Sequence, residues 1–161
     1  YFVFRQMSDA FACPESGLIE MHLIVYTSEF AGTDSELEST VEAIVAKARI
    51  SNQENGITGV FFNCGRRFLQ FIEGEFDAVN ALMAKLSADP RHRYVSILFN
   101  DSVPERGFSR WSMDQFNVGT SATLDLEYLQ MVRDACRANF QTRTETIVSI
   151  FKGFIESDEL D

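Results

Sequence analysis

The sequence predicts an α+β sandwich, in which two amphipathic helices cover one face of a single β-sheet. Short runs rich in β-branched and aromatic residues, typical of buried strands, alternate with two stretches of helical periodicity. A glycine-containing turn joins two of these runs directly and therefore indicates a hairpin. The chain has 161 residues, of which 45% are hydrophobic, so its length suits one domain with appendages.

The first strand is predicted at residues 22–28, HLIVYTS, because this run is short, apolar and β-branched. The first helix is predicted at residues 35–48, where Ser35 and Glu38 have the spacing of a capping box. Its apolar residues recur at the helical period and form one stripe: Leu37, Val41, Ile44, Val45 and Ala48. This helix is therefore expected to pack on the sheet.

The second and third strands are predicted at residues 57–63, ITGVFFN, and 67–75, RFLQFIEGE, with the tight connection CGRR between them. Glu73 and Glu75 flank a glycine near the end of this hairpin and are expected to be solvated rather than catalytic. A second helix is predicted at residues 76–88, ending before a proline. Its apolar face is expected to consist of Phe76, Val79, Leu82, Met83 and Leu86.

A fourth strand is predicted at residues 94–100, YVSILFN, and a short fifth strand at residues 111–118, WSMDQFNV. The resulting order, βαββαββ, is that of a ferredoxin-like sandwich. Past Gly119 the pattern becomes purely helical and predicts two C-terminal helices, which cover the open face of the sheet or pair with another subunit. We expect three parts: an N-terminal extension (1–20), a sandwich domain (21–118) and a C-terminal helical extension (119–161).

Net charge excludes several classes of partner. The net charge of −10 and the estimated pI of 4.6 argue against nucleic acid and against an anionic membrane surface. No apolar run approaches the length of a membrane helix, which is about 18 residues.

Three widely spaced cysteines, Cys13, Cys64 and Cys136, fit neither a disulfide framework nor a metal site, and we interpret them as buried thiols in a reducing cytoplasm.

Catalytic signatures are missing from the sequence. The two histidines, His22 and His92, lie far apart and match no metal-ligand spacing, so each is interpreted as a structural or surface residue. The nucleophile motif of hydrolases, the phosphate-binding loop and the dinucleotide-binding glycine pattern do not occur either. No metal and no catalytic turnover are expected.

Gln70 is the residue that this apolar sequence explains least well. Side chains alternate along a strand, so Gln70 shares a face with Phe68 and Ile72, and both faces of its strand are largely apolar. An amide without partners there would cost roughly 1–3 kcal/mol. In a ferredoxin-like sheet the first and third strands are neighbours, so Tyr26 can lie beside Gln70 on the helix-facing side, and the gap between the two helices would admit a flat heterocycle.

The sequence resembles the BLUF family, which consists of blue-light sensors that use FAD. The matching motifs are LIVYTS, SNQENGITGVFF, FLQFIEGE, DPRHR and WSM, in the family's order and close to its spacings. The resemblance covers residues 21–118, about three fifths of the chain. It implies a photoreceptor that binds FAD noncovalently and performs no catalytic turnover.

The resemblance also implies roles for single residues. Tyr26 matches the tyrosine that gives an electron and a proton to the excited flavin, and Gln70 matches the glutamine that links this tyrosine to the flavin. Asn52, expected just past the first helix, matches the asparagine that binds the pyrimidine edge of the flavin. Trp111 and Met113 match a pair that exchanges proximity to the glutamine. The other implied cofactor-binding residues are Ile44 and Phe68 around the ring, Lys85 near the ribityl and phosphate end, Ser51, and His92 in the DPRHR motif.

Two positions depart from the family pattern. Ser51 stands where many members have a second asparagine. Ala48 stands where some members have a serine, and this difference affects the hydrogen bonding of the photostate.

The expected output of the sensor is through the C-terminal extension, which would act on a downstream effector protein or a fused effector domain. A homo-oligomer is expected. The chain is either a short stand-alone sensor or the sensor half of a longer chain. Alternative functions are a ferredoxin-like ligand-binding or RNA-binding module without photochemistry, and a flavin reductase.

Overall fold

The computed structural model describes residues 20–107, 109–110 and 112–117, together with the single positions 130 and 134. Its elements follow the predicted βαββαββ order and confirm the α+β ferredoxin-like fold. They are β1 (Met21–Phe30), α1 (Leu37–Glu54), β2 (Thr58–Cys64), β3 (Arg67–Glu75), α2 (Phe76–Ala88), β4 (His92–Val103) and β5 (Asp114–Asn117), with one 3-10 turn (Asp34–Glu36) before α1. The two predicted C-terminal helices lie outside the described residues.

The five strands form one sheet in the order β4-β1-β3-β2-β5. β1 pairs antiparallel with both β3 and β4, β2 and β3 form the predicted hairpin, and β5 runs parallel to β2 at the sheet edge. Gly65 has a φ of 53° in the turn between β2 and β3, a conformation that glycine adopts without steric cost. The prediction that the first and third strands are neighbours is therefore confirmed.

Both helices pack on the same face of the sheet, as predicted. Val41 and Val45 of α1 and Val79 and Met83 of α2 belong to one buried cluster with side chains of the strands. The strand members of this cluster are Ile24, Tyr26, Phe30, Phe61, Phe68 and Ile72. Burial of each large apolar side chain contributes about 1.5–3 kcal/mol, so this layer is the main stabilising feature that holds the helices on the sheet.

β3 is buried on both faces. Phe68 and Ile72 face the helices, while Leu69 and Phe71 are buried on the opposite side. This explains why the β3 sequence is apolar throughout instead of alternating. No helix in the described part of the chain combines the length and the apolar character needed to cross a bilayer.

Four local predictions were wrong. The capping interaction forms two residues earlier than expected, where the Glu36 carboxylate accepts the Thr33 backbone N–H at 3.0 Å, because the chain already turns at Asp34–Glu36. α1 continues to Glu54, so Asn52 lies inside the helix rather than after it. Phe76 begins α2 but is 58% exposed, and its ring meets His22 edge-on at 5.0 Å. Glu73, expected in water, is fully buried.

Candidate functional site

Tyr26 and Gln70 lie opposite each other on β1 and β3, at directly paired positions of the antiparallel ladder. Directly opposite side chains project from the same face, and here that face is covered by the helices. Tyr26 is fully buried and Gln70 is 4% exposed. The tyrosine hydroxyl donates a hydrogen bond to Gln70 Oε1. The buried amide of Gln70 thus has the tyrosine as a partner.

The amide nitrogen of Gln70 has a second partner. Its Nε2 donates to the thioether Sδ of Met113 at 3.3 Å, and Met113 is itself buried just before β5. A thioether sulfur is a weak acceptor and cannot donate, so this contact satisfies the amide only loosely. The three side chains form a chain of hydrogen bonds from phenol to amide to sulfur, which runs from β1 and β3 to the residue just before the edge strand β5.

Asn52 brings helix α1 to the same segment. Its Nδ2 donates to the backbone oxygen of Ser112 at 3.0 Å, one residue before Met113. The other half of the amide, Oδ1, is buried and has no hydrogen-bond partner among the described residues. A buried acceptor without a hydrogen-bond donor lowers the stability of the folded protein. Asn52 therefore presents an unused acceptor in the interior.

A second unused polar atom belongs to His92. Its Nδ1 bonds to Ser28 Oγ at 3.0 Å, whereas its buried Nε2 has no partner among the described residues. The ring lies 5.7 Å from that of Phe68. Burial lowers the pKa of His92 below its usual value of 6.5, and the Asp89 carboxylate opposes this effect only in part. The imidazole is therefore neutral at pH 7 and can accept or donate at Nε2, depending on its tautomer.

The electrostatic setting of Tyr26 keeps its proton in place. Burial raises the pKa of the Tyr26 hydroxyl well above its usual value of 10, and the negative charge of Asp89 adds to this effect. A phenolate at this position is thus strongly disfavoured at neutral pH. An electron can leave Tyr26 easily only if the hydroxyl proton moves at the same time, and Gln70 Oε1 is the acceptor already in contact with that proton.

The other expected site residues divide into two groups. Phe68 is fully buried beside Phe61, with ring centroids 5.0 Å apart, and Ile44 is buried on α1. Ser51 is half-buried in the last turns of α1, and Lys85 is exposed in the last turn of α2, where it makes no hydrogen bond or ion pair with a described residue. Trp111 lies outside the described residues. The structure thus joins Tyr26, Gln70, Asn52 and Met113 and leaves Lys85 apart from them.

Arg49 is a residue of this region that the sequence did not indicate. Its Nε donates to the backbone oxygen of Met113 at 3.0 Å, beside the bond from Asn52 to Ser112. The available signal was its position, three residues before Asn52, which places both side chains on one side of α1. That signal is weak because most arginines at such positions are simply solvated.

The residues fit the flavin that the sequence resemblance implies. The isoalloxazine ring of FAD carries an imide N–H, which is the donor that Asn52 Oδ1 lacks, and the hydroxyl groups of the FAD ribityl chain would suit His92 Nε2. Ile44 and Phe68 are both buried and provide apolar surface of the kind that a flat ring needs. Among the described residues no group of three or more histidine, cysteine or carboxylate side chains could hold a metal ion.

Comparison with known proteins points in the same direction. Residues 21–114 match the family model BLUF, described as sensors of blue-light using FAD. The chain is 28% identical over 137 residues to the blue light- and temperature-regulated antirepressor BluF of Escherichia coli (strain K12), covering 84% of this chain and 33% of that protein. It is 29% identical over 107 residues to the photoactivated adenylate cyclase subunit alpha of Euglena gracilis, covering 65% of this chain and 10% of that subunit.

A solved structure shares the fold. The ground state of BlsA superimposes with a TM-score of 0.58 at 32% identity, covering 60% of this chain and 64% of that one. The chain spans about a third of the antirepressor and about a tenth of the cyclase subunit. What is shared with these two relatives is therefore one region of each. The residues that match the family model, 21–114, include the strands that carry Tyr26 and Gln70.

Proposed function

The chain belongs to the BLUF family, the sensors of blue light using FAD, and on that premise we propose that Tyr26 and Gln70 are its photochemical pair. The observation that carries this proposal is the buried contact in which the Tyr26 hydroxyl donates to Gln70 Oε1. A structural tyrosine at the centre of a sheet needs one partner for its hydroxyl, and many groups would serve. An amide, which can exchange its donor and acceptor ends, is the partner that suits a switch.

FAD is proposed to bind noncovalently between the two helices and the sheet. Asn52 Oδ1 and His92 Nε2 are the buried polar atoms that await partners, and Ile44 and Phe68 provide apolar surface. Ser51 and Lys85 are proposed contacts at the periphery, with Lys85 reaching a phosphate from the last turn of α2. When bound, FAD supplies the absorption of blue light and, once excited, an acceptor for one electron.

The residues of the chain then supply the proton movements. Tyr26 would release an electron to the excited cofactor and its hydroxyl proton to Gln70 Oε1, while the amide would pass a proton from Nε2 to the cofactor, so that neither buried side chain remains charged. When the electron and a proton return to Tyr26, the phenol is restored and the Gln70 amide is left flipped or tautomerised. The net change is one rearranged side chain, with no bond to the cofactor. Donor and acceptor now face different partners, so Met113 no longer receives the same hydrogen bond.

The output of the sensor is proposed to leave through the segment that contains Met113. We take residues 21–118 as the sensor domain, residues 1–20 as an extension without an assigned role, and residues 119–161 as the output region. The relatives named above combine a matching region with a longer chain, one an antirepressor and one a cyclase subunit. By analogy, this region would act on an effector protein or on a fused effector domain, as a homo-oligomer, and would have no turnover of its own.

Absorption spectroscopy of the purified chain tests this function. The protein reconstituted with FAD is expected to be yellow, to shift its absorption to the red under blue light and to recover in darkness. Heat denaturation after many cycles should release unmodified FAD, as identified by chromatography. A protein that binds FAD but keeps an unchanged spectrum under blue light would contradict the proposal, and one that oxidises a nicotinamide cofactor would favour the reductase alternative.

A further inference from the structure

Helix α1 holds two consecutive backbone carbonyls just before β5. Asn52 Nδ2 donates to the oxygen of Ser112 and Arg49 Nε donates to the oxygen of Met113, both at 3.0 Å. Residues three apart on a helix are neighbours on its surface, so the two side chains act as a pair on one short segment. The side chain of Met113 points inward from this segment and contacts Gln70.

The two members of the pair differ in their surroundings. Asn52 is 1% exposed and has a second, unpartnered atom in the interior, whereas Arg49 is exposed to solvent apart from its bond to the carbonyl. One end of the Asn52 amide thus binds the segment before β5, and the other end faces the interior of the site. Arg49 contacts the segment alone, and as a charged donor it makes the stronger type of hydrogen bond.

The segment has little other support from the sheet. β5 is four residues long, Asp114–Asn117, and it pairs with β2 as the last strand of the sheet. Met113 immediately precedes this short edge strand and therefore lies where a strand frays. The hydrogen bond from Arg49 to the Met113 carbonyl is consequently important for fixing the position of Met113.

We propose that Arg49 is a positioning residue for the photochemical pair, because it holds the Met113 carbonyl and thereby keeps the Met113 sulfur against the Gln70 amide. The proposal rests on the proposed function of Tyr26 and Gln70. The contact between Gln70 Nε2 and Met113 Sδ, at 3.3 Å, stabilises one orientation of the amide. Without Arg49 the Met113 carbonyl is free to turn to water, the sulfur leaves the amide part of the time, and that orientation loses its advantage.

Hydrogen exchange of the FAD-loaded protein in darkness tests the positioning role without reference to photochemistry. Arg49→Ala is expected to accelerate exchange of the backbone amides of residues 112–117 by about tenfold, because one charge-assisted hydrogen bond that holds this segment is lost. Arg49→Lys retains the charge and a donor and should restore part of the protection. Lys47→Ala is the matched control, because it removes the same charge from an exposed position of the same helix and should leave exchange unchanged.

The light response supplies the second readout. In Arg49→Ala the light-induced red shift is expected to lose about half of its amplitude, since part of the dark population already has the rearranged amide. FAD affinity should stay within about twofold of the unmodified chain, since Arg49 contacts the backbone outside the site. Unchanged exchange at 112–117, or a full red shift in Arg49→Ala, would overturn the proposal. A missing red shift in the unmodified chain would instead overturn the proposed function, while the exchange result would still report on Arg49.

Discussion

Tyr26 and Gln70 occupy directly opposite positions on two neighbouring interior strands of the sheet, β1 and β3, and the hydroxyl of Tyr26 donates to the amide oxygen of Gln70. The strand pairing fixes this contact, so it does not depend on a mobile loop. Only the far side of the amide, where Nε2 meets Met113, lies beside an edge strand. The pair therefore combines a rigid proton-transfer contact with one partner that is able to move.

Replacement of Tyr26 by phenylalanine should remove the electron donor and leave the fold intact. The change deletes one buried hydroxyl and leaves Gln70 Oε1 without its partner, at a cost of about 1–3 kcal/mol in the free energy of unfolding. With FAD bound, we expect flavin fluorescence to rise, because transfer of an electron from Tyr26 no longer quenches the excited state. Fluorescence lifetime is the direct measurement.

Tyr94 offers the matched control for that experiment. It lies on β4 and is 76% exposed, so Tyr94→Phe deletes the same hydroxyl without entering the site. The flavin fluorescence lifetime and the red shift of the Tyr94→Phe variant should equal those of the unmodified chain. Equal lifetimes in Tyr26→Phe and Tyr94→Phe would show that Tyr26 is not the donor.

Asn52→Ala should weaken FAD binding. It removes the buried Oδ1 acceptor, and a hydrogen bond of about 0.5–1.5 kcal/mol corresponds to an increase in Kd of roughly twofold to tenfold. Fluorescence titration of FAD measures this change. Asn55→Ala is the control, since Asn55 is exposed at the end of the same helix and its side chain donates to the Ser51 backbone oxygen instead of reaching the interior. Identical Kd values for the two variants would exclude Asn52 from the site.

The sequence predicted the fold well because most elements are specified locally. The β3 and α2 boundaries at residues 67–75 and 76–88 were predicted to the residue, since a tight turn, a proline and two clear periodicities delimit them. Strand adjacency followed from the βαββαββ order, and with it the meeting of Tyr26 and Gln70. The order of the elements therefore predicts that these two site residues meet.

The errors arose where distant contacts override local patterns. Glu73 was expected in water because a glycine follows it, yet it is buried because Thr58 and the backbone of Gly107, which lies 34 residues later, hydrogen-bond to its carboxylate. Arg49 was missed for the same reason, because its partner is the Met113 carbonyl, 64 residues away. Local sequence carries no sign of either contact.

Glu73 should consequently be important for stability. Its Oε1 accepts from Thr58 Oγ1 at 2.9 Å and its Oε2 from the Gly107 backbone at 2.8 Å. Glu73→Ala would leave the buried Gly107 N–H without an acceptor and should lower the free energy of unfolding by about 1–3 kcal/mol in urea denaturation. Glu75→Ala, at an exposed position two residues later, should change it by no more than about 0.5 kcal/mol. Equal effects of the two substitutions would contradict the structural role of Glu73.

His92 should make stability depend on pH. Burial lowers its pKa in the folded protein relative to 6.5, while Asp89 and Arg91 act on it in opposite directions. Below about pH 6.5 the unfolded chain therefore binds a proton that the folded chain does not, and stability falls as the pH falls, by up to about 1.4 kcal/mol per pH unit.

Urea denaturation in darkness with a fixed excess of FAD, compared at about pH 7.5 and about pH 5.5, measures this dependence. His92→Gln has no ionisable group at this position, so its loss of stability between the two pH values should be smaller than that of the unmodified chain. The difference between the two proteins isolates His92 from the carboxylates that also titrate. An equal loss in both would show that His92 does not titrate differently in the folded and unfolded states.

The light-minus-dark absorption spectrum of Gln70→Leu tests the central claim most directly. Leucine nearly preserves the volume of the side chain but has no donor or acceptor, so the Tyr26 hydroxyl and Met113 Sδ both lose their partner. The account predicts that the variant remains folded, binds FAD and is yellow, and that blue light produces no reversible red shift. A Gln70→Leu protein with the red shift and dark recovery of the unmodified chain would contradict it.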